Sequence, residues 1–387
     1  MNQFDKVINR RGTNSLKWDV YEDQEVISLG SADMDFESAP CIRDALVSKA
    51  EKAMFGYEGR SDEYFQSIID WNKRKYNYDI EKAWLSNAPG VLIGLRLCID
   101  TFTASGDSIL MHGPYFNPIV TLIVKGKRKF VSSPLRLQDG KYEIDFEDFE
   151  KKIIESNVRM FILVNPQNPT GKVYTREELA RMGEICGRHG VVVVSDEVHS
   201  NVLYDNHVHY PYTAVSNENG NYGIILTSVT KGFNLQGLTY GIVIIPNPAY
   251  REMFEETIRS YDLDYATNIF SMAALVAAYN QGEAWLGELN EYLLGNLEYL
   301  TDFFEKNLPD VKVIRPEGSY LVWLDMRKLG LSPEKLKKLF MEKAKVAFSF
   351  GEDFGKEGEG FERLNFACPR GVLKEALERI KAAIDEI

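Results

Sequence analysis

LTSVTKGFNLQGL, residues Leu226–Leu238, is the stretch from which the chain is best read. The apolar, β-favouring run Tyr222–Ser228 delivers a single lysine, Lys231, into a segment of Gly, Asn and Gln. A second apolar run, Thr239–Pro246, begins immediately afterwards. A lysine at the end of a buried strand is costly as a cation. Desolvation disfavours its charged form and lowers its pKa, which suits an amine that must condense with a carbonyl. Ser228 and Thr230 add hydroxyls beside it, able to donate to a phosphate. Taken alone, the stretch also reads as a surface lysine at a loop bend.

Working outward, strand candidates recur at Ser108–Met111, Lys129–Ser132, Met160–Val164, Val191–Ser195, Ile224–Ser228 and Gly241–Ile245. Helical patterns such as Val91–Thr103 and Arg176–His189 lie between several of them. Continuous apolar strands separated by helices predict an α/β fold, with a mostly parallel sheet covered on both faces. This pattern spans residues 46–282, a large domain. Ala284–Lys306 reads as one long helix with Trp285, Leu289, Leu293, Leu297 and Leu300 at helical spacing. Beyond it, strands at Val311–Ile314, Tyr320–Leu324, Val346–Phe350 and Arg363–Ala367 alternate with helices at Pro333–Lys345 and from Val372. Residues 283–387 thus form a smaller α+β unit. The short pieces of residues 1–45 cannot stand alone and are assigned to that small domain.

Composition narrows the functions. The 387 residues carry a formal charge of −12, which argues against nucleic acid or an anionic membrane surface as partner. No apolar run approaches a membrane span and Met1–Arg11 is polar, so the expected address is the cytoplasm. Cys41, Cys98, Cys186 and Cys368 are scattered, form no CxxC pair and read as reduced thiols. The five histidines give no HExxH, and no metal site is expected. There is no GxGxxG, and Gly351–Lys356 (GEDFGK) is one residue short of a P-loop.

Three segments carry chemistry. NPQNPTG at Asn165–Gly171 is a rigid turn that holds side-chain amides at the sheet's edge, and Asn168 is suited to bond a phenolic oxygen. Asp196 follows it by 28 residues and ends a strand, and Lys231 follows Asp196 by 35. A buried aspartate facing a ring nitrogen keeps that nitrogen protonated, and a protonated pyridine ring is an electron sink. Alone, Asp196 also reads as a helix N-cap.

Together these segments resemble the fold-type I pyridoxal-phosphate enzymes of the class I/II aminotransferase family, over essentially the full length. Within that family the chain is similar to the cystathionine β-lyase, or cystalysin-type C–S lyase, branch. The resemblance rests on KWD at Lys17–Asp19, ADMDF at Ala32–Phe36, FGY at Phe55–Tyr57 and APG at Ala88–Gly90. It continues with NPQNPTG, SDEVH at Ser195–His199, KGFNLQGL at Lys231–Leu238 and RLNFACPR at Arg363–Arg370. It implies an aspartate-aminotransferase-like, seven-stranded large domain and the cofactor pyridoxal 5'-phosphate. Lys231 would hold the cofactor as a Schiff base and act as general base on the substrate Cα. Asp196 would pair with the pyridinium nitrogen and Asn168 with the phenolic oxygen. Tyr115 would stack on the ring, although without the family match it reads as a core aromatic.

Gly90, Val91 and Leu92 would offer backbone N–H groups to the phosphate at a helix start, joined by the hydroxyl of Ser228 and by Thr230. Tyr57 would reach the phosphate of a neighbouring subunit, which makes a homodimer part of the expectation. An interface aromatic without cofactor contact is the other reading. Arg363 would bind the substrate carboxylate with its planar fork, completed by backbone around Ala32, while Arg370 serves structure. His199 stands where aspartate aminotransferases have a tyrosine and is expected beside the cofactor in a supporting place.

The chain departs from the family at several points. Thr239 stands where many of its aminotransferases carry a phosphate-binding arginine, and Thr230 replaces a serine. Phe116 stands where several C–S lyases have a second tyrosine, and Gly30-Ser31 precede ADMDF in place of an aromatic. The implied activity is β-elimination from cystathionine, cysteine or S-alkyl cysteines, a small sulfur-containing amino acid being the substrate. An aminotransferase shares every residue named. A binding or regulatory protein of this fold is a third reading, its signature being loss of Lys231 or Asp196 or an added DNA-binding segment.

Overall fold

Five of the apolar runs become adjacent parallel strands in the computed structural model, which describes residues 2–265 and 267–387. In spatial order they are Gly223–Thr227, Val192–Asp196, Val158–Val164, Ser108–Gly113 and Lys129–Pro134. Gly241–Ile244 adds antiparallel beside Gly223–Thr227, and Leu85–Ala88 closes that edge, antiparallel to Gly241–Ile244. The result is the expected seven-stranded, mostly parallel sheet. All six strand candidates of this region are present. The seventh, Leu85–Ala88, carries the polar pair Ser86-Asn87 and gives no apolar signal.

The period of two along each strand divides the core into two layers. Ile162, Val194, Ile224 and Val243 pack with Leu95 and Ile99 of the helix Val91–Phe102 and with Phe254 of the helix Pro248–Ser260. Leu163, Val193, Ile225 and Ile242 face the other way, onto Leu179 and Met182 of the helix Arg176–Arg188. That helix starts with a capping box, in which Thr175 and Glu178 each satisfy the other's backbone N–H. Such a cap contributes about 1 kcal/mol.

A second, antiparallel sheet runs in the order Lys312–Ile314, Leu321–Asp325, Phe361–Asn365, Ser349–Phe350. The long helix is found at Glu283–Asn307, with Trp285, Leu289, Leu293, Leu297 and Leu300 all buried. The helix expected at Pro333–Lys345 is α-helical only over Pro333–Lys338 and then widens to π geometry over Leu339–Ala344. The strand expected at Val346–Phe350 divides. Val346–Ala347 pairs with Ile27–Ser28 from the N-terminal segment, and Ser349–Phe350 joins the second sheet. Gly30 allows this crossing, because a Cβ there would stand 2.8 Å from the carbonyl oxygen of Phe348.

Strand direction places the chemistry. Asp196 is the last residue of its strand, NPQNPTG follows Val158–Val164, and Lys231 follows Gly223–Thr227. All three sit at carboxyl ends of neighbouring parallel strands, the edge at which open α/β sheets hold ligands. The edge is tied together by the Asn165 N–H donating to the Asp196 carbonyl, 2.9 Å, and the Glu197 N–H to that of Leu226, 2.8 Å. The peptide bonds before Pro166 and Pro169 are cis.

Candidate active site

A cavity of about 360 Å³ opens over that edge, and Lys231, Asp196, Asn168 and His199 line it. Among the described residues Lys231 is its only lysine. The Lys231 Nζ donates to the carbonyl oxygen of Ala32, 2.8 Å away. No carboxylate bonds it among the described residues. Burial, then the nearby Arg363 cation, lowers its pKa to about 8, against the pull of Asp33 and Asp196. An amine in this setting is substantially neutral in mildly basic solution, and so is nucleophilic.

Asp196 answers the same burial in the opposite sense. Desolvation raises its pKa to about 6, with Glu197 adding to the rise and the Val198 N–H and Lys231 opposing it. It is therefore mainly a carboxylate at neutral pH, held on one oxygen by the Val198 N–H at 3.2 Å. His199 is kept neutral by burial and by the two cations Lys231 and Arg363. Its Nδ1 meets the Ser319 hydroxyl at 3.0 Å, and its ring stands edge-on to Tyr320.

Another part of the wall is the start of the helix Val91–Phe102, where Gly90 is the N-cap and no side chain caps it. Gly90, Val91, Leu92 and Ile93 all line the cavity. The first N–H groups of a helix have no intrahelical acceptor, and together with the helix dipole they favour an anion. The cavity thus brings an uncapped helix start together with an amine, a carboxylate and an amide.

Arg363 lies on the strand Phe361–Asn365 and reaches the site through its neighbours. One guanidinium nitrogen donates to Asn168 Oδ1 at 2.9 Å. The other donates to the Gly30 carbonyl at 2.9 Å and to Ser349 Oγ at 2.7 Å. Its plane rests 4.9 Å from the centre of the Phe354 ring, and its buried Nε has no partner among the described residues. Burial lowers its pKa to about 10, so it remains a cation at neutral pH. With its oxygen taken by Arg363, the amide nitrogen of Asn168 is the end left for the cavity. Arg370 is elsewhere, with its Nε on Asn296 Oδ1 at 2.7 Å.

Not every expected residue reaches the cavity. Thr230 lines it, as does Ala32. Ser228 is just behind, donating to the Tyr240 carbonyl at 2.6 Å and accepting from the Thr230 N–H at 3.2 Å. The Tyr115 ring packs edge-on against Phe130 and beside Gly355, outside the lining, while Phe116 faces in. Tyr57 is 91% exposed and stands in a neighbouring hollow with Phe55 and Tyr265, which shares Pro89, Thr239 and Tyr240 with the cavity. Sequence reasoning missed Gln236 and Tyr320, which also donate to the Ala32 carbonyl, at 3.2 and 2.9 Å. Gln236 lies inside the quoted KGFNLQGL, but a role for it has no signal in residue type alone.

Known proteins carry the same architecture. Cystathionine beta-lyase PatB of Bacillus subtilis is 35% identical over 98% of this chain and 99% of its own length. The crystal structure of cystalysin from Treponema denticola, which contains a pyridoxal 5'-phosphate cofactor, superposes with a TM-score of 0.96 at 30% identity, covering 100% of this chain and 99% of its own. That of the PLP-bound C-S lyase from Staphylococcus hominis gives 0.93 at 32% identity, covering 99% and 98%. The description of the aminotransferase class I and II family matches residues 24–380, and the chain belongs to that family.

Proposed function

We propose that this protein is a pyridoxal-phosphate-dependent carbon–sulfur lyase. It converts cystathionine, cysteine or an S-alkyl cysteine, with water, into a thiol, pyruvate and ammonia. The observation that carries the reading is one cavity that joins an uncapped helix start to a lysine of lowered pKa, a buried carboxylate and an oriented amide. These residues fit a phosphorylated pyridine aldehyde, and the names of the similar proteins support both the cofactor and the sulfur substrate.

Gly90, Val91 and Leu92 would hold the phosphate, Thr230 and Ser228 would stand beside it, Asn168 would meet the phenolic oxygen and Asp196 the ring nitrogen. When bound, the cofactor supplies an electron sink for the pair left behind as a proton leaves the substrate Cα. Lys231 takes that proton on Nζ, and its lowered pKa makes it a base near neutrality. Arg363, fastened to the Gly30 carbonyl, would orient the substrate carboxylate together with backbone at Ala32, which lines the cavity. The apolar walls Leu92, Ile93, Phe116, Val164 and Val198 receive the thioether arm and keep water away.

The exposed side chains of Met54, Phe55, Tyr57 and Tyr265 beside the cavity support a homodimer, in which Tyr57 would complete the partner's phosphate site. Among the described residues no helix is long and apolar enough to cross a membrane. The four unpaired cysteines suit a reducing compartment and support a cytoplasmic location.

The test is pyruvate release from L-cystathionine by the cofactor-loaded protein with no 2-oxo acid added. Many pyruvates per site are expected. Turnover that appears only once a 2-oxo acid is supplied would instead make the protein an aminotransferase.

A further inference from the structure

The motif KWD does not touch the cavity, yet it leads there. The Lys17 side chain is completely buried, and its Nζ stands 2.9 Å from Asp35 Oδ2 and donates to the Asp33 carbonyl, also at 2.9 Å. The Trp18 indole N–H donates to Asp35 Oδ1 at 2.9 Å. Arg10 bonds the same oxygen at 2.8 Å and Asp33 Oδ2 at 2.7 Å. Asp19 folds the intervening loop by accepting from the N–H groups of Gly12, Thr13 and Ser15. Two hydrogen-bond donors and the Lys17 ammonium, all from one N-terminal arm, therefore converge on one carboxylate.

That carboxylate belongs to a segment in which every carbonyl from Gly30 to Met34 accepts a side-chain donor. Arg363 and Ser349 take Gly30, and Asn365 takes Ser31. Lys231, Gln236 and Tyr320 take Ala32. Lys17 and Asn365 take Asp33, and Arg10 and Asn234 take Met34. Backbone bonds anchor Leu29 to Ala347 and Asn365, and Asp35 to Ala367, and between these anchors the segment is irregular and held by these side chains. Both the catalytic amine and the carboxylate-binding arginine are fastened to it.

We propose that Lys17 is a positioning residue for substrate binding. By joining the Asp33 carbonyl to the Asp35 carboxylate, its ammonium fixes the segment Gly30–Met34 against Arg363 and Lys231. It acts through the backbone at Ala32 and meets neither substrate nor cofactor. The proposal rests on the reading that Arg363 and Ala32 receive the substrate carboxylate.

The experiment compares cofactor-loaded wild type with Lys17→Met. Two quantities are measured: the dissociation constant for L-alanine, an amino acid without a leaving group, read from the cofactor absorbance, and KM and kcat for L-cystathionine. A small displacement at the carboxylate end weakens binding, and about a tenfold rise in both the L-alanine constant and KM is expected, with a smaller change in kcat. A purely structural role would lower thermal stability and the active fraction, leaving both constants of the folded enzyme unchanged, and that result overturns the proposal. Breaking a buried pair is strongly destabilising, so Trp18→Phe serves as the second variant. It removes one donor to Asp35 and is expected to raise the L-alanine constant about threefold, in keeping with one lost hydrogen bond. An unchanged constant in a folded Trp18→Phe equally overturns it. If wild type binds L-alanine but releases no pyruvate, while Lys17→Met binds it more weakly, the lyase reading falls and the positioning role stands.

Discussion

Lys17 and Lys231 both turn inward, and they meet opposite surroundings. Lys17 ends on a carboxylate and a carbonyl, wholly out of contact with solvent. Lys231 ends on a carbonyl alone and faces a cavity, with a guanidinium as its largest influence after burial. A buried amine seated on a carboxylate is a structural tie, costly to break from one side. One without such a partner is poised to give up its proton and use its lone pair. The chemical character of each lysine is thus set by what stands opposite it.

The sharpest way to break the comparison is to remove the unpaired amine. Lys231→Ala is expected to lower pyruvate release from L-cystathionine by at least about a thousandfold, since it deletes both nucleophile and base. Turnover near the wild-type value would show that another group does the work. Next in size is Arg363→Lys, which keeps the charge but loses the fork that spans Asn168, Gly30 and Ser349. KM for L-cystathionine should rise about a hundredfold with a smaller change in kcat, because a point charge cannot replace bidentate geometry.

The smallest effect concerns protonation. Only the neutral amine captures an aldehyde, and the Lys231 pKa is lowered to about 8. The rate at which the cofactor-free protein takes up pyridoxal phosphate should therefore rise with pH, about tenfold between pH 7 and pH 9, and then level off. A rate still climbing steeply beyond pH 10, as for an ordinary lysine, would remove the contrast between the two residues.

Much of the large sheet was legible because a strand buried on both faces must be apolar throughout, as Val192–Val194 and Phe161–Val164 are. Leu85–Ala88 escaped because a short edge strand can carry Ser and Asn. The division of Val346–Phe350 between two sheets escaped because a single Ser349 in an otherwise apolar run gives no sign of a change of partner, which the close approach of Gly30 to Phe348 shows. At the site, Lys231, Asp196 and Asn168 were marked by falling at or just beyond strand ends. Which of Tyr115 and Phe116 faces the cavity depends on one residue of turn geometry that composition does not encode. The bonds among Arg10, Lys17, Asp33 and Asp35 join irregular segments, where no periodicity announces a contact.

The carbonyl of Ala32 has one more donor than it has lone pairs, with Lys231, Tyr320 and Gln236 all directed at it. When the lysine amine is drawn away to react, the oxygen keeps Tyr320 and Gln236 and stays fully solvated by protein. The amine therefore rests on a seat that does not need it. It can leave and return without a vacancy opening behind it, and the segment Gly30–Met34 keeps its other bonds throughout.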